Sequence, residues 1–255
     1  MSERSTGRST LTRVLVPKPH DVLADRLREA ILSEMEEGSR LPTEQELMHR
    51  SGLGRTSVRE AMRRLEAEGL IQPRPARLGG NIVSRPGNNA MAHFILQFVR
   101  GRKLSLRALQ ETRETIEPAL ARLAAENRTD EDLARLHQLN EALADESADM
   151  ATFAAINADF HNAIGAASGN DLLEAFLFAI SFAIIKATVL DEYHTVETRR
   201  EVVRVHARIL DAIEARDGAA AFRRMNRHVQ ATRERVKHSE DFELPIAPSG
   251  PSEES

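Results

Sequence analysis

The chain has 255 residues, 41% hydrophobic and 29% charged, with a formal charge of −4 and no cysteine. That much apolar material excludes a wholly disordered protein and is enough for one large or two ordinary packed domains. The missing cysteine removes disulfides, thiolate metal sites and a thiol nucleophile. It leaves any metal to histidine and oxygen ligands and fits a reducing cytosol.

The charge is unevenly spread. Residues 1–86 carry 15 basic and 12 acidic side chains, and residues 87–255 carry 20 and 27. Within the first part, residues 50–86 hold 8 basic against 3 acidic side chains, a local basic segment of the kind that meets a polyanion. Residues 1–17 lack the apolar core of a secretory signal and read as a flexible arm. The long apolar run from Leu172 to Leu190 contains Glu174 and Lys186, so it reads as a buried central bundle helix and not as a membrane span. A cytoplasmic protein is expected.

In chain order, the stretch from His20 to Gly38 places Val22, Leu23, Leu27, Ala30, Ile31 and Met35 mostly at three- and four-residue steps. It predicts a first helix stopped by Gly38. Pro42 disfavours helix at Leu41. Thr43 and Glu46 form a T-x-x-E capping box that starts a short second helix ending near Ser51-Gly52. Arg55 to Glu68 predicts a third helix with Val58, Met62 and Leu65 on one face and Gly69 behind it. Leu70 to Val83 has apolar ends around a Pro/Arg/Gly middle and predicts a β-hairpin. Three short helices and a hairpin make a winged helix-turn-helix over residues 18–84.

The third helix has the chemistry of a DNA reader. Its N-terminus carries Arg55, Thr56, Ser57 and Arg59, and helix N-termini attract phosphate. Arg55 and Arg59 are surface neighbours one turn apart, bordering the apolar stripe, where arginine can reach guanine in a major groove. Arg74 and Arg77 precede a Gly-Gly tip in the expected wing and suit a backbone or minor-groove contact. The plainer alternative is a charged helix with capping hydroxyls. These residues, LPTEQEL followed by GLGRTSVREAMRRLEAEGLI, resemble the GntR family of bacterial transcription factors. The match falls on Leu41, Pro42, Glu44, Leu47, Arg55, Val58, Arg59, Ala61, Leu65, Gly69 and Leu70. The resemblance implies operator binding to double-stranded DNA. Two positions depart from the pattern: Gln45 stands where the family often has a DNA-contacting arginine, and Gly54 where it usually has Ser or Thr.

Residues 85–91 read as a linker, rich in turn formers. Beyond it the periodicity predicts only helices: Leu106–Asn127, Asp130–Asp145, Met150–Ala167, Leu172–Leu190, Thr195–Ala215 and Ala219–Val236. The fold class is therefore mainly α, a winged helix-turn-helix followed over residues 92–238 by an antiparallel bundle of six or seven helices. Residues 239–255 read as a disordered tail.

Asn157 and His161, four apart in INADFHNAI, share a helix face. His206 and His228 flank the Asp217-Gly218 turn at nearly equal distances, so an antiparallel pair sets them at one height. Three imidazoles and an amide oxygen make a reasonable divalent metal site, with Zn or Ni the best fits. Each histidine alone is more often a satisfied core residue. The other six histidines show no comparable register. Phe160-His161, His206 in VVRVHARILDAI, Met225 with His228 in MNRHVQ, and LQETRETIEPALARLAA resemble the FCD effector domain of the FadR branch of the same family. Asn157 stands where that domain commonly has aspartate, which removes a charge from the site. The resemblance implies a small organic acid bound beside the metal and an arginine to hold it. Arg113 is the candidate, with a surface ion pair to Glu117 as the competing role.

The resulting expectation is a homodimeric repressor that binds a palindromic operator and responds to a small carboxylate effector. Apolar stripes on the first long helices would form the dimer. A regulator responding to metal alone is the alternative. A metalloenzyme fused to a DNA-binding domain is disfavoured, because no HExxH motif and no carboxylate pair accompany the histidines.

Overall fold

The computed structural model describes residues 17–74, 80–187, 195–237 and 242. The chain divides into two compact units, Met1–Pro86 and Gly87–Ser255. The expected flexible arm and tail, apart from Pro17 and Phe242, lie outside the described residues, as does Arg77.

The first unit contains α1 (Pro19–Ser33), α2 (Glu44–Ser51), α3 (Arg55–Ala67), β1 (Ile71–Pro73) and β2 (Asn81–Val83). Leu23, Ala24, Ile31, Leu41, Leu47, Val58, Ala61, Met62, Leu65, Leu70, Ile71 and Val83 form its core. The apolar stripes of the three helices thus meet one face of the hairpin. β1 and β2 pair antiparallel with Ile71 opposite Val83, the winged helix-turn-helix expected from the pattern.

The first helix is shorter than its periodicity predicts. It stops at Ser33, not at Gly38. The reason lies in the sheet. Gly38 turns the backbone at φ 81°, and residues 38–41 then bond to β2: Gly38 N–H to Val83 O at 2.9 Å, Val83 N–H to Ser39 O at 2.8 Å and Leu41 N–H to Asn81 O at 2.9 Å. Met35 still packs on the core, but from the segment after the helix. The apolar periodicity outlasts the helix because both conformations bury that side chain.

The second unit holds seven helices among the described residues: α4 (Asn88–Gly101), α5 (Leu106–Asn127), α6 (Asp130–Leu143), α7 (Met150–Ala167), α8 (Asp171–Ala187), α9 (Val196–Glu214) and α10 (Gly218–Val236). Three expectations need correction. Part of the expected linker is helical, since α4 begins at Asn88, whose side-chain amide donates to Glu174 Oε1 at 3.0 Å. The central helix is α5, which packs on α7, α8, α9 and α10. The apolar α8 instead leaves Leu172, Phe176 and Ile185 exposed. Consequently α5 carries no large exposed apolar residue; the outward ones in this unit include Phe94 and Phe98 on α4 and those on α8. The expected end of the eighth helix at Leu190 lies outside the described residues.

Gly218 illustrates how tightly the α9–α10 turn approaches α5. A Cβ there would meet Arg122 Cγ at 3.0 Å and Arg122 O at 3.3 Å. This close seat fixes where α9 and α10 begin their antiparallel run. None of the described helices is long and apolar enough to cross a membrane.

Thr43 caps α2: its hydroxyl accepts from Glu46 N–H at 3.3 Å, and Glu46 accepts from Thr43 N–H at 2.7 Å. Thr43→Ala is predicted to destabilise the first unit by about 1 kcal/mol, measured in the full chain by hydrogen exchange of core amides in α1 and α3. Unchanged exchange would show that packing alone holds α2.

Candidate functional site

The second unit brings three distant histidines together. α7 presents His161, α9 presents His206 and α10 presents His228, each on the face turned into the core and each buried. His228 Nε2 lies 3.1 Å from His206 Nε2 and 3.3 Å from His161 Nε2. One nitrogen from each ring falls within 4.8 Å of the others. Tetrahedral zinc with Zn–N bonds of about 2.0–2.1 Å separates neighbouring ligand nitrogens by roughly 3.3–3.4 Å. The donor set therefore fits a divalent ion.

The surroundings set the protonation. Burial pushes His206 and His228 well below the usual imidazole range, reinforced by the neighbouring imidazoles and by the Arg113 guanidinium. Both rings are therefore neutral near pH 7 and carry the lone pairs a metal needs. Phe160 stacks on His206 with ring centroids 4.2 Å apart and planes 8° from parallel, holding that ring in orientation.

Glu117 was not foreseen as part of this centre. It is 1% exposed, and its Oε2 lies 2.5 Å from His161 Nδ1. A carboxylate there keeps the proton on Nδ1 and turns the Nε2 lone pair toward the other two rings. Burial alone would raise the Glu117 carboxyl, but Arg113 and His161 more than offset it and hold the group well below the usual carboxylate range. Arg113 Nε also bonds Glu117 Oε1. Because Arg113 is 7% exposed, this ion pair is internal, not the surface pair that competed with an effector role. The sequence held a signal: Leu109, Arg113, Glu117 and Ala121 follow one another at four-residue steps, and all four are buried. Asn157 is buried one turn before His161 on the same helix.

In the first unit, Gln45, Arg55, Thr56 and Arg59 are exposed, Ser57 is half-buried and Arg74 is half-buried beside the hairpin. The two helix starts differ. α2 satisfies its first N–H groups through the Thr43 cap, whereas α3 starts at Gly54 with no side-chain cap. The α3 N-terminus thus keeps donors and positive dipole for an anion. Arg59 meanwhile rests 3.6 Å from Glu44 Oε1, an exposed contact.

Residues 19–77 match the family described as bacterial regulatory proteins, gntR family, and residues 108–231 match the FCD domain. The chain is 31% identical over 237 residues to the HTH-type transcriptional repressor NanR of Cronobacter sakazakii, covering 89% of this chain and 88% of that protein. It belongs to the GntR family. The NanR of Citrobacter rodentium is also 31% identical, with 88% of each chain covered. Among solved structures, Streptococcus agalactiae GntR aligns with a TM-score of 0.65 at 25% identity, over 84% of this chain and 99% of that one. This GntR protein, with its C-terminal FCD domain, is a DNA-binding transcriptional regulator and not an enzyme.

The buried histidines predict a pH dependence. An unfolded imidazole titrates near 6.5, and His206 and His228 titrate lower when folded. Below about pH 6.5 the unfolded chain binds more protons, so stability falls with falling pH. The Tm of chelator-treated protein should drop more steeply between pH 7.5 and 5 than that of a His206→Gln variant. Equal slopes would contradict a neutral, buried His206 and His228.

Proposed function

We propose that the chain is a homodimeric repressor whose grip on a palindromic operator is controlled by a small organic acid bound near a divalent metal in the helical unit. The observation that carries this reading is the convergence of three buried, mutually facing imidazoles beside a buried guanidinium. His161, His206 and His228 would hold the ion, and Asn157 offers an amide oxygen on the adjacent turn. The ion, when bound, supplies a Lewis-acidic anchor for a carboxylate. Arg113 adds a fixed positive charge, and Glu117 keeps His161 and Arg113 in register with one another. An acid competing with Glu117 for Arg113 would disturb α5, the helix on which the bundle is built. The effector acts only through a difference in affinity between the operator-competent and operator-released forms.

Operator contacts fall to the first unit. Arg55, Thr56, Ser57 and Arg59 at the α3 N-terminus, Gln45 on α2, Arg74 beside β1, and Arg77, outside the described residues, are the proposed contacts. On duplex DNA, Arg59 would exchange its exposed Glu44 contact for a base or phosphate. The sign of control follows the name of the NanR relatives, transcriptional repressors. Dimerisation is assigned to α4 and α8, which pack together and leave Phe94, Phe98, Leu172, Phe176 and Ile185 outward.

The test uses a DNA fragment selected by the protein from a random pool. Arg59→Ala should weaken binding by about 1–3 kcal/mol, read by fluorescence anisotropy; wild-type affinity would remove Arg59 from the reading face. With metal present, one acid from a panel of sugar, hydroxy and amino acids should release the DNA at least tenfold. The Arg113→Ala protein should bind DNA normally and ignore the acid. Release by metal alone would favour the metal-only regulator.

A further inference from the structure

A second charged feature lies on the solvent side of the α9–α10 pair. Glu201, Val205 and Arg208 on α9, with Arg224, Arg227, His228, Ala231 and Arg235 on α10, line a cleft of about 220 Å³. Only one acidic residue faces four arginines there. Glu201 is already taken by Arg235 at 3.0 Å. Arg224 donates to the backbone carbonyl of Arg208, which neutralises no charge. Among the described residues no carboxylate pairs with Arg208, Arg224 or Arg227. Three uncompensated guanidiniums around one small volume repel each other. They do so on a unit whose residues 87–255 carry 27 acidic against 20 basic side chains, so carboxylates to pair them were abundant.

We propose that this cleft is an anion site, separate from the effector site above, that takes a small oxyanion of two or more charges, a phosphate ester or a polycarboxylate. The guanidinium fork bonds such groups in parallel pairs. Ligand pockets usually measure roughly 300–1,000 Å³, so the volume restricts the occupant to a small molecule. The half-buried Val205 and the Ala231 side chain give it a short apolar wall. A single carboxylate would leave two of the three arginines unmatched. His228 belongs to both the cleft wall and the buried trio, so occupancy of the cleft is felt at α10, one of the helices that carry the metal ligands.

The experiment is isothermal titration of the full-length protein with inorganic phosphate and, separately, malonate, at ionic strength fixed with sodium chloride. Saturable binding of either supports the cleft, and the tighter of the two names the source. The exposed double variant Arg208→Gln/Arg227→Gln should weaken that binding at least tenfold while retaining wild-type metal content. Chelator-treated wild-type protein should keep the anion site, so that failure of the metal reading leaves this one standing. Binding that ignores both arginine substitutions and disappears on chelation would put the anion at the buried trio and overturn the proposal. So would the absence of saturable binding at millimolar concentration.

Discussion

Three imidazole nitrogens that face one another inside a protein pose a problem of lone pairs. Burial holds His206 and His228 well below the usual imidazole range, and Glu117 lies against the far nitrogen of His161. His228 Nε2, within 3.1–3.3 Å of two other nitrogens, can donate at most one proton. It cannot satisfy both neighbours. One small cation at the centre would satisfy all three nitrogens together. The rest of the helical unit serves that meeting. α5 runs through the middle, contributing Arg113 and Glu117. The Gly218 turn seats α9 and α10 against it at the height where His206 and His228 come level, and Phe160 fixes a ring plane.

The first unit obeys a complementary constraint at helix ends. A helix start buried or capped is finished; one left open invites an anion. α2 is finished by Thr43 and Glu46, while α3 begins at a glycine and is flanked by arginines. The departure at Gly54 from the usual Ser or Thr removes a side-chain competitor for the very donors that a phosphate would use. In the proposed reading the two units use one principle in opposite ways: a metal would close an excess of acceptors, and a DNA phosphate would close an excess of donors.

Much of this was legible in the residues. The T-x-x-E box placed the start of α2, and the near-equal spacing of His206 and His228 about Asp217-Gly218 placed two imidazoles on one level. What escaped was decided by tertiary contacts. The end of α1 depends on Gly38 pairing with β2, a strand more than forty residues away. The uniform apolarity of α8 could not say which face was covered, and so suggested a central helix where the structure has a peripheral one. Glu117 was read as a charged surface partner because charge usually implies exposure. Its register with Leu109 and Ala121 pointed inward, but only the arrival of His161 from α7 gives a buried carboxylate a reason to be there.

A cation linking α7, α9 and α10 is the central proposal, and elemental analysis of the purified, extensively dialysed protein tests it most directly. One divalent ion per chain is expected, retained by wild type and lost from a His161→Gln variant that still binds DNA. A wild-type chain with no stoichiometric metal after loading, or a variant that holds the same amount, would contradict it.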